Sequence, residues 1–339
     1  MASLSDAHLQ GDSRFDGKVI SIMMATYNDW RSIAHLLPEL DEQIATLGAS
    51  AEIIVIDDGS VDYQGKDGVA EMSFEAIQAI QCITLNQNFG NQRAIAIGVA
   101  YVADNVKCDY LVIMDSDGED KPEDLPRLLA ACAESGERKI VFAERRQRPE
   151  GVGFRFMYFI YKLLFRLFAG TQMSMGNFSV VPGGTIDRIS RLEDIWVHYP
   201  AGVVRSQLPI VRIPADKGTR KFGSSSMHMV NLLLHAFGGF SVFADRVAVR
   251  ILIAMLWCIG AFLAAVAIVL WQKYVAEMSI VGWTSQIIII MLAIMLQIVT
   301  GTVLLILIIL SKKTQLPLIP IETYPSYIFE KHYLVSRTV

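Results

Sequence analysis

The stretch YLVIMDSDGEDKPED, residues 110–124, decides how the chain is read. Its first five residues form an apolar, β-rich run, and the acids and Pro122 that follow end it. Side chains alternate faces along a strand, so Asp115 and Asp117 fall on the same side and can share a divalent ion. Glu119 and Asp120 place further oxygens nearby. Oxygen-only ligands favour Mg2+ or Mn2+ over zinc, and an ion that keeps open positions can also hold a diphosphate. The same letters fit a plainer reading, an acidic turn that caps a helix starting near Pro122.

Working outward, the same kind of run recurs at residues 19–25, 52–57, 81–85 and 139–143, with helical patterns at 33–47, 92–103 and 123–134. This alternation predicts an α/β domain with a mostly parallel sheet between helices. Ligands in such sheets bind beyond the carboxyl ends of the strands. Two more polar clusters fall at such ends: Thr26-Tyr27-Asn28-Asp29 and Asp57-Asp58-Gly59-Ser60. The second also fits an Asx-type turn whose carboxylates serve the backbone. There is no GxGxxG or GxxxxGK[ST] loop, so neither a dinucleotide fold nor a P-loop is supported.

With 53% hydrophobic and 19% charged residues in 339, the chain is too apolar for an ordinary soluble enzyme. The excess is concentrated. Residues 251–271 carry no acidic or basic side chain and reach roughly 31 Å as a helix, enough for a hydrocarbon core of about 30 Å. A second such run covers residues 278–311, with Gln286 and Gln297 as its polar interruptions. Arg246 and Arg250 precede the pair and Lys312 and Lys313 follow it, whereas the connecting loop has Lys273 offset by Glu277. The positive-inside rule therefore predicts an integral membrane protein with both flanks, and the α/β domain, in the cytoplasm. Residues 1–18 lack the pattern of a signal peptide, and the four cysteines form no CxxC pair, which fits a reducing compartment. A net charge of −4 gives no sign of a nucleic-acid partner.

The motifs ATYND (25–29), IDDGSVD (56–62), NQNFGNQRAIAIG (86–98) and MDSDGEDKPED (114–124) together resemble the family-2 glycosyltransferases with a GT-A fold. The paired apolar runs and the segment from Gly223 to Arg250 resemble the branch that glycosylates polyprenyl or dolichyl phosphate. The resemblance implies a nucleotide-sugar donor, UDP- or GDP-linked, in a pocket lined by Thr26, Tyr27, Asn28, Asp57, Asp58 and Arg93. It implies Mg2+ or Mn2+ held by Asp115, Asp117 and Glu119, and inversion at the anomeric carbon. Asn177 stands where relatives often carry an acid, and Ser226 where the branch often has Lys. The pair Glu193-Asp194 resembles one used as a base by some family members, which makes Asp194 the candidate, with His198 a rival.

Two anionic substrates need cations, and the candidates for the acceptor phosphate are Arg145, Arg148, Arg220 and Lys221, although a solvated basic face fits them too. Residues 154–168 read as a basic amphipathic helix for the lipid headgroup layer. Residues 1–17 are expected to be a flexible tail, 18–225 the catalytic domain, 226–246 an interfacial helix, 247–311 two transmembrane helices and 312–339 a cytoplasmic tail. Gly260 and Gly301 offer small surfaces for packing into a homo-oligomer. The expected activity is transfer of a sugar to polyprenyl phosphate. Its rivals are transfer to another lipid or polysaccharide and a non-catalytic membrane scaffold.

Overall fold

The computed structural model describes residues 13–145, 163, 165–167, 170, 175–216, 218–220, 222, 237–275, 283–313 and 316–337. Two compact units emerge, one made of residues 1–151, 173–242 and 318–339, the other of residues 152–172 and 243–317.

The first unit is built on strands β1 (Val19–Thr26), β2 (Ser50–Asp57), β3 (Ile77–Leu85) and β4 (Tyr110–Asp115), joined by helices α1 (Trp30–Thr46), α2 (Lys66–Ala70) and α3 (Asn91–Asn105). Helix α4 (Leu125–Glu134) leads to β5 (Ile140–Arg145). Strand β6 (Met175–Pro182), helices α5 (Gly183–Ser190) and α6 (Tyr199–Arg205) and strand β7 (Ile210–Ala215) follow. The sheet order is β7-β5-β6-β4-β1-β2-β3-β8, with β8 at Ile328–Ser336. Strands β4, β1, β2 and β3 run parallel, whereas β6 and β8 run antiparallel to their neighbours in that block. The chain steps from β1 to β2 and β3, then crosses back to place β4 on the other side of β1. That reversal is a switch point, and it opens a crevice at the carboxyl ends of β1 and β4.

The parallel strands are nearly continuous runs of Ile, Val, Met and Leu because both faces are covered. One face packs α1 and α4 through Ile33, Leu37, Leu40, Leu128 and Leu129; the other packs α3 through Ile95, Ile97 and Val99. Helix α3 is buried without interruption from Ala94 to Val102, consistent with its weak polar face. A Cβ at Gly98 would lie 2.6 Å from Met23 Sδ and 2.8 Å from Ile56 Cγ1, so glycine sets how closely α3 approaches the sheet.

The sequence reading is corrected at the carboxyl terminus. Residues 312–339 were expected to be a tail, yet the described part forms the short helix α9 (Pro320–Thr323) and strand β8, which pairs along β3 from Ala79↔Ser336 to Leu85↔Ile328. Tyr324 fixes the approach: its hydroxyl donates to Asp104 Oδ2 at 2.5 Å and accepts from Asn105 Nδ2 at 2.9 Å. The chain thus leaves the sheet domain after residue 242 and rejoins it at 318.

The second unit contains two helices of 31 residues each, α7 (Ala244–Tyr274) and α8 (Trp283–Lys313). Both are long and apolar enough to cross a membrane, each holding an 18-residue window of mean hydropathy 2.7 within Ala244–Tyr274 and Ser285–Ser311. Large apolar side chains such as Leu256, Trp257 and Ile308 point outward. Nothing approaches the Cβ positions of Gly260 and Gly301 within 4 Å, so neither glycine serves the contact between α7 and α8. The expected amphipathic helix at 154–168, the first residues of the 1–17 tail and most of the 226–246 segment lie outside the described residues.

Replacing Gly98 with Val is expected to overpack α3 against Met23 and Ile56 and to cost about 1–3 kcal/mol. Thermal unfolding of the detergent-solubilised protein would register it as a lower midpoint.

Candidate functional site

Where parallel strands stop, their loops leave backbone N–H groups without sheet partners, and buried ones must be satisfied by side chains. At the end of β2, Asp57 accepts from Ser60 N at 2.9 Å and Trp30 Nε1 at 3.2 Å. Asp58 accepts from Phe89 N at 2.7 Å and Gly90 N at 2.8 Å, which ties the β2 loop to the turn before α3. Burial raises the Asp58 pKa while those two N–H bonds oppose the rise. At the end of β1, Asn28 sits in the left-handed region (φ 56°), and its Oδ1 accepts from Val61 N at 2.8 Å and Asp62 N at 3.0 Å. Gly59 lies between these loops at φ 71°, where a Cβ would lie 2.8 Å from the Gln87 carbonyl carbon.

Three of the donor-pocket candidates, Asn28, Asp57 and Asp58, therefore spend their side chains on the loops. For Asp57 and Asp58 this is the turn-forming reading that the letters also allowed. Tyr27 is about half exposed and Arg93 is exposed, so these two present themselves at the rim. Thr26 is buried at the end of β1, and its Oγ1 has no hydrogen-bond partner among the described residues.

The β4 end carries the acids. Asp115 and Asp117 lie within electrostatic reach of each other, and burial pushes the Asp117 carboxyl up to about 6, with the Asp115 charge the next cause. Asp120 Oδ2 accepts from Asp115 N at 2.9 Å and Asp117 Oδ1 from Glu119 N at 3.0 Å, so the loop folds back on itself. A half-buried carboxylate raised by a like charge is stabilised by a cation, and the pair fits a hard divalent ion that takes its other ligands from phosphate oxygens and water. Among the described residues no three acidic, His or Cys side chains form a ready ligand group, and Glu119 shares the β4 loop with Asp115 and Asp117.

Strand β6 enters antiparallel to β4, with Ser179 opposite Ile113, and so delivers Asn177 to the Asp115 end. Asn177 Nδ2 donates to Asp115 Oδ1 at 3.0 Å and Asn177 Oδ1 accepts from Gln92 Nε2 at 3.1 Å. Asn91 Nδ2 also reaches Asp115 Oδ1, at 3.4 Å. In the sequence Asn177 marks only a place where relatives often carry an acid, and nothing singles out Asn91 and Gln92, although both lie inside the NQNFGNQRAIAIG motif.

The cationic candidates separate. Arg220 Nη2 donates to Asp29 Oδ2 at 2.9 Å, and its charge lowers the Asp117 pKa, so it stands beside the acids. The preceding residues cross the β4 loop closely: Gly218 N donates to Glu119 O at 2.8 Å, and a Cβ there would lie 2.5 Å from Gly118 O. Arg145 ends β5, but its side chain, like Arg148 and Lys221, lies outside the described residues. Asp194, the candidate base, is ion-paired: Arg205 Nη1 donates to Asp194 Oδ1 at 2.7 Å. His198, its rival, is buried and accepts from Ala201 N through Nδ1 at 3.3 Å. A cavity of about 820 Å3, lined by Glu39, Glu42, Lys121, Asp216 and Thr219, reaches the β4 loop through Gly118 and Gly218, and neither Asp115 nor Asp117 lines it.

Residues 21–185 match the family described as Glycosyl transferase family 2. An undecaprenyl-phosphate 4-deoxy-4-formamido-L-arabinose transferase of Klebsiella pneumoniae subsp. pneumoniae is 29% identical over 228 residues, covering 64% of this chain and 65% of the relative. The Salmonella paratyphi B protein of the same description is 27% identical over 223 residues, with the same coverage. The chain thus spans 65% of the length of these relatives. Among solved structures, glucosyl-3-phosphoglycerate synthase of Mycobacterium tuberculosis, crystallised with Mn2+, uridine-diphosphate-glucose and phosphoglyceric acid, superposes with a TM-score of 0.52 at 13% identity. That match covers 73% of this chain and 85% of the other, and it establishes the shared GT-A fold.

Replacing Asp58 with Ala would orphan two N–H groups at about 1–3 kcal/mol each, so the melting midpoint and nucleotide affinity should fall together. Asp117→Asn removes a like charge, so it should hold or raise the midpoint while weakening Mn2+ binding. Parallel thermal and calorimetric titrations distinguish the two.

Proposed function

This chain carries a family-2 glycosyltransferase domain, and from that premise we propose that it moves a sugar from a nucleotide-sugar donor to polyprenyl phosphate at a membrane surface. The observation that carries the proposal is the half-buried pair Asp115 and Asp117 at the switch point of the sheet, with Asp117 raised to about 6. Charge of that kind suits a divalent ion that meets a diphosphate. When bound, Mg2+ or Mn2+ would neutralise the negative charge that grows on the departing nucleoside diphosphate.

The chain's own residues prepare the rest. Asp57, Asp58 and Asn28 hold the two loops that frame the donor pocket, and Tyr27 and Arg93 meet the nucleotide at its rim. Arg220, beside Asp29 and Asp117, faces the donor diphosphate, while Arg145, Arg148 and Lys221 draw in the acceptor phosphate. The acceptor oxygen attacks the anomeric carbon as the bond from that carbon to the nucleotide oxygen breaks, with inversion. A phosphate monoester has a second pKa near about 6, so its oxygen arrives largely ionised at neutral pH and no strong base is needed. This agrees with Asp194 being committed to Arg205.

The apolar helices α7 and α8 supply the attachment to lipid. Because the segments on either side of the pair belong to one sheet domain, two crossings return the chain to the side it left. The basic flanks Arg246, Arg250, Lys312 and Lys313 favour the cytoplasmic side for it.

Incubating the purified full-length protein with polyprenyl phosphate, Mn2+ or Mg2+ and a panel of UDP- and GDP-sugars should yield a lipid-linked sugar identifiable by mass. Asp117→Ala should lower the rate by about 100-fold or more. Donor that binds but is never consumed, whatever the lipid, would instead identify a binding scaffold. A long-chain polyprenyl phosphate should outperform a short, water-soluble phosphate ester through a lower KM, with donor affinity unchanged.

A further inference from the structure

A hydrogen-bonded line runs away from the acids into the protein. The backbone N–H of Tyr199, the first residue of α6, donates to Gln92 Oε1 at 2.7 Å. Gln92 Nε2 donates to Asn177 Oδ1 at 3.1 Å, and Asn177 Nδ2 donates to Asp115 Oδ1 at 3.0 Å. An amide side chain has one end that donates and one that accepts, and either orientation is open to it in isolation. Here the direction is forced. A backbone N–H can only donate, so Gln92 must turn its oxygen to Tyr199 and its nitrogen to Asn177. Asn177 must then turn its own nitrogen to Asp115.

The parts are held in place. Asn177 is 7% exposed and Tyr199 is fully buried. Ser179 Oγ lies 2.9 Å from the Tyr199 hydroxyl and 3.0 Å from Asn177 O, which joins α6 to β6 a second time. Asn91, the residue before Gln92 on α3, adds its amide to the same Asp115 oxygen at 3.4 Å.

We propose that Gln92 and Asn177 are positioning residues, an amide relay that fixes the direction in which the Asp115 carboxylate presents itself to a cation. The inference rests on the proposed function, in which Asp115 and Asp117 hold that cation. Donation to one oxygen locks the carboxylate rotamer, and the neutral amide at 177 adds no third negative charge beside two acids. Partners of this kind behind a metal-binding carboxylate typically govern metal affinity by 10–100-fold.

The test is Gln92→Glu, nearly the same size, in the full-length protein. A glutamate still accepts from Tyr199 N but offers Asn177 a second oxygen. Asn177 must then reverse its amide and turn an oxygen toward Asp115. Binding of Mn2+ in the presence of UDP or GDP is followed by the loss of the free-ion electron paramagnetic resonance signal, with the melting midpoint recorded for each variant. Gln92→Glu and Asn177→Ala are both expected to weaken Mn2+ binding at least 10-fold, and to lower kcat without raising the KM for a short-chain acceptor. If either variant binds Mn2+ like the unaltered protein, whether or not its midpoint falls, the relay is only structural and the inference is overturned. If the unaltered protein takes up no Mn2+ with either nucleotide, the functional reading itself fails and takes the relay with it.

Discussion

Every loop at the working edge of this sheet faces the same constraint: peptide N–H groups that have left the ladder must still find an acceptor away from water. The chain meets it with short polar side chains. Asp57 and Asp58 take three of these N–H groups, with the Trp30 indole N–H as a fourth donor, and Asn28 takes two. Each bond crosses from one loop to another or closes a turn, so the β1, β2 and β3 ends behave as a single piece. The geometry at Asp115 and Asp117 depends on that piece, because α3, which brings Asn91 and Gln92 to Asp115, starts at the Gly90 held by Asp58.

Much of this was legible in the letters. Five strands and three helices fall where hydrophobic period and length put them, with ends shifted by a few residues, because a parallel sheet covered on both faces needs unbroken Ile and Val runs. The three polar clusters were legible as strand ends. Their division of labour was not. An Asp-Asp pair reads alike whether it faces a ligand or its own backbone, and only the positions of Phe89, Gly90 and Ser60 decide between the two. The Arg205 partner of Asp194 lies one helix further on, beyond the reach of local pattern. Strand β8 escaped for another reason: Ile328, His332 and Leu334 are partly buried while Phe329 and Tyr333 are exposed. An edge strand with aromatic residues on its open side lacks the clean alternation of a half-buried one.

The electrostatics of the strand-end crevice balance rather than accumulate. Asp29 is paired with Arg220, and Asp117 has Asp115 beside it, whose charge adds to the burial that raises the Asp117 pKa. The neutral amides around Asp115 hold the carboxylate without cancelling its charge. A surface that had evolved only for solubility would scatter such acids into water. Keeping two of them half-enclosed is a standing cost of a kind found where a cation is handled.

The position of β8 also governs how the protein can be made. A ribosome delivers the chain from its amino end, so β1 through β7 emerge first and both apolar helices follow before residue 328 exists. Until then β3 is an open edge with unpaired peptide groups along most of its length, a template for the wrong partner. The sheet therefore cannot cover its β3 edge until both apolar helices have been made, and the nine-residue strand β8 acts as the clasp. A nascent chain halted between the two events would be the aggregation-prone species, and it would carry every residue of the strand-end crevice already translated.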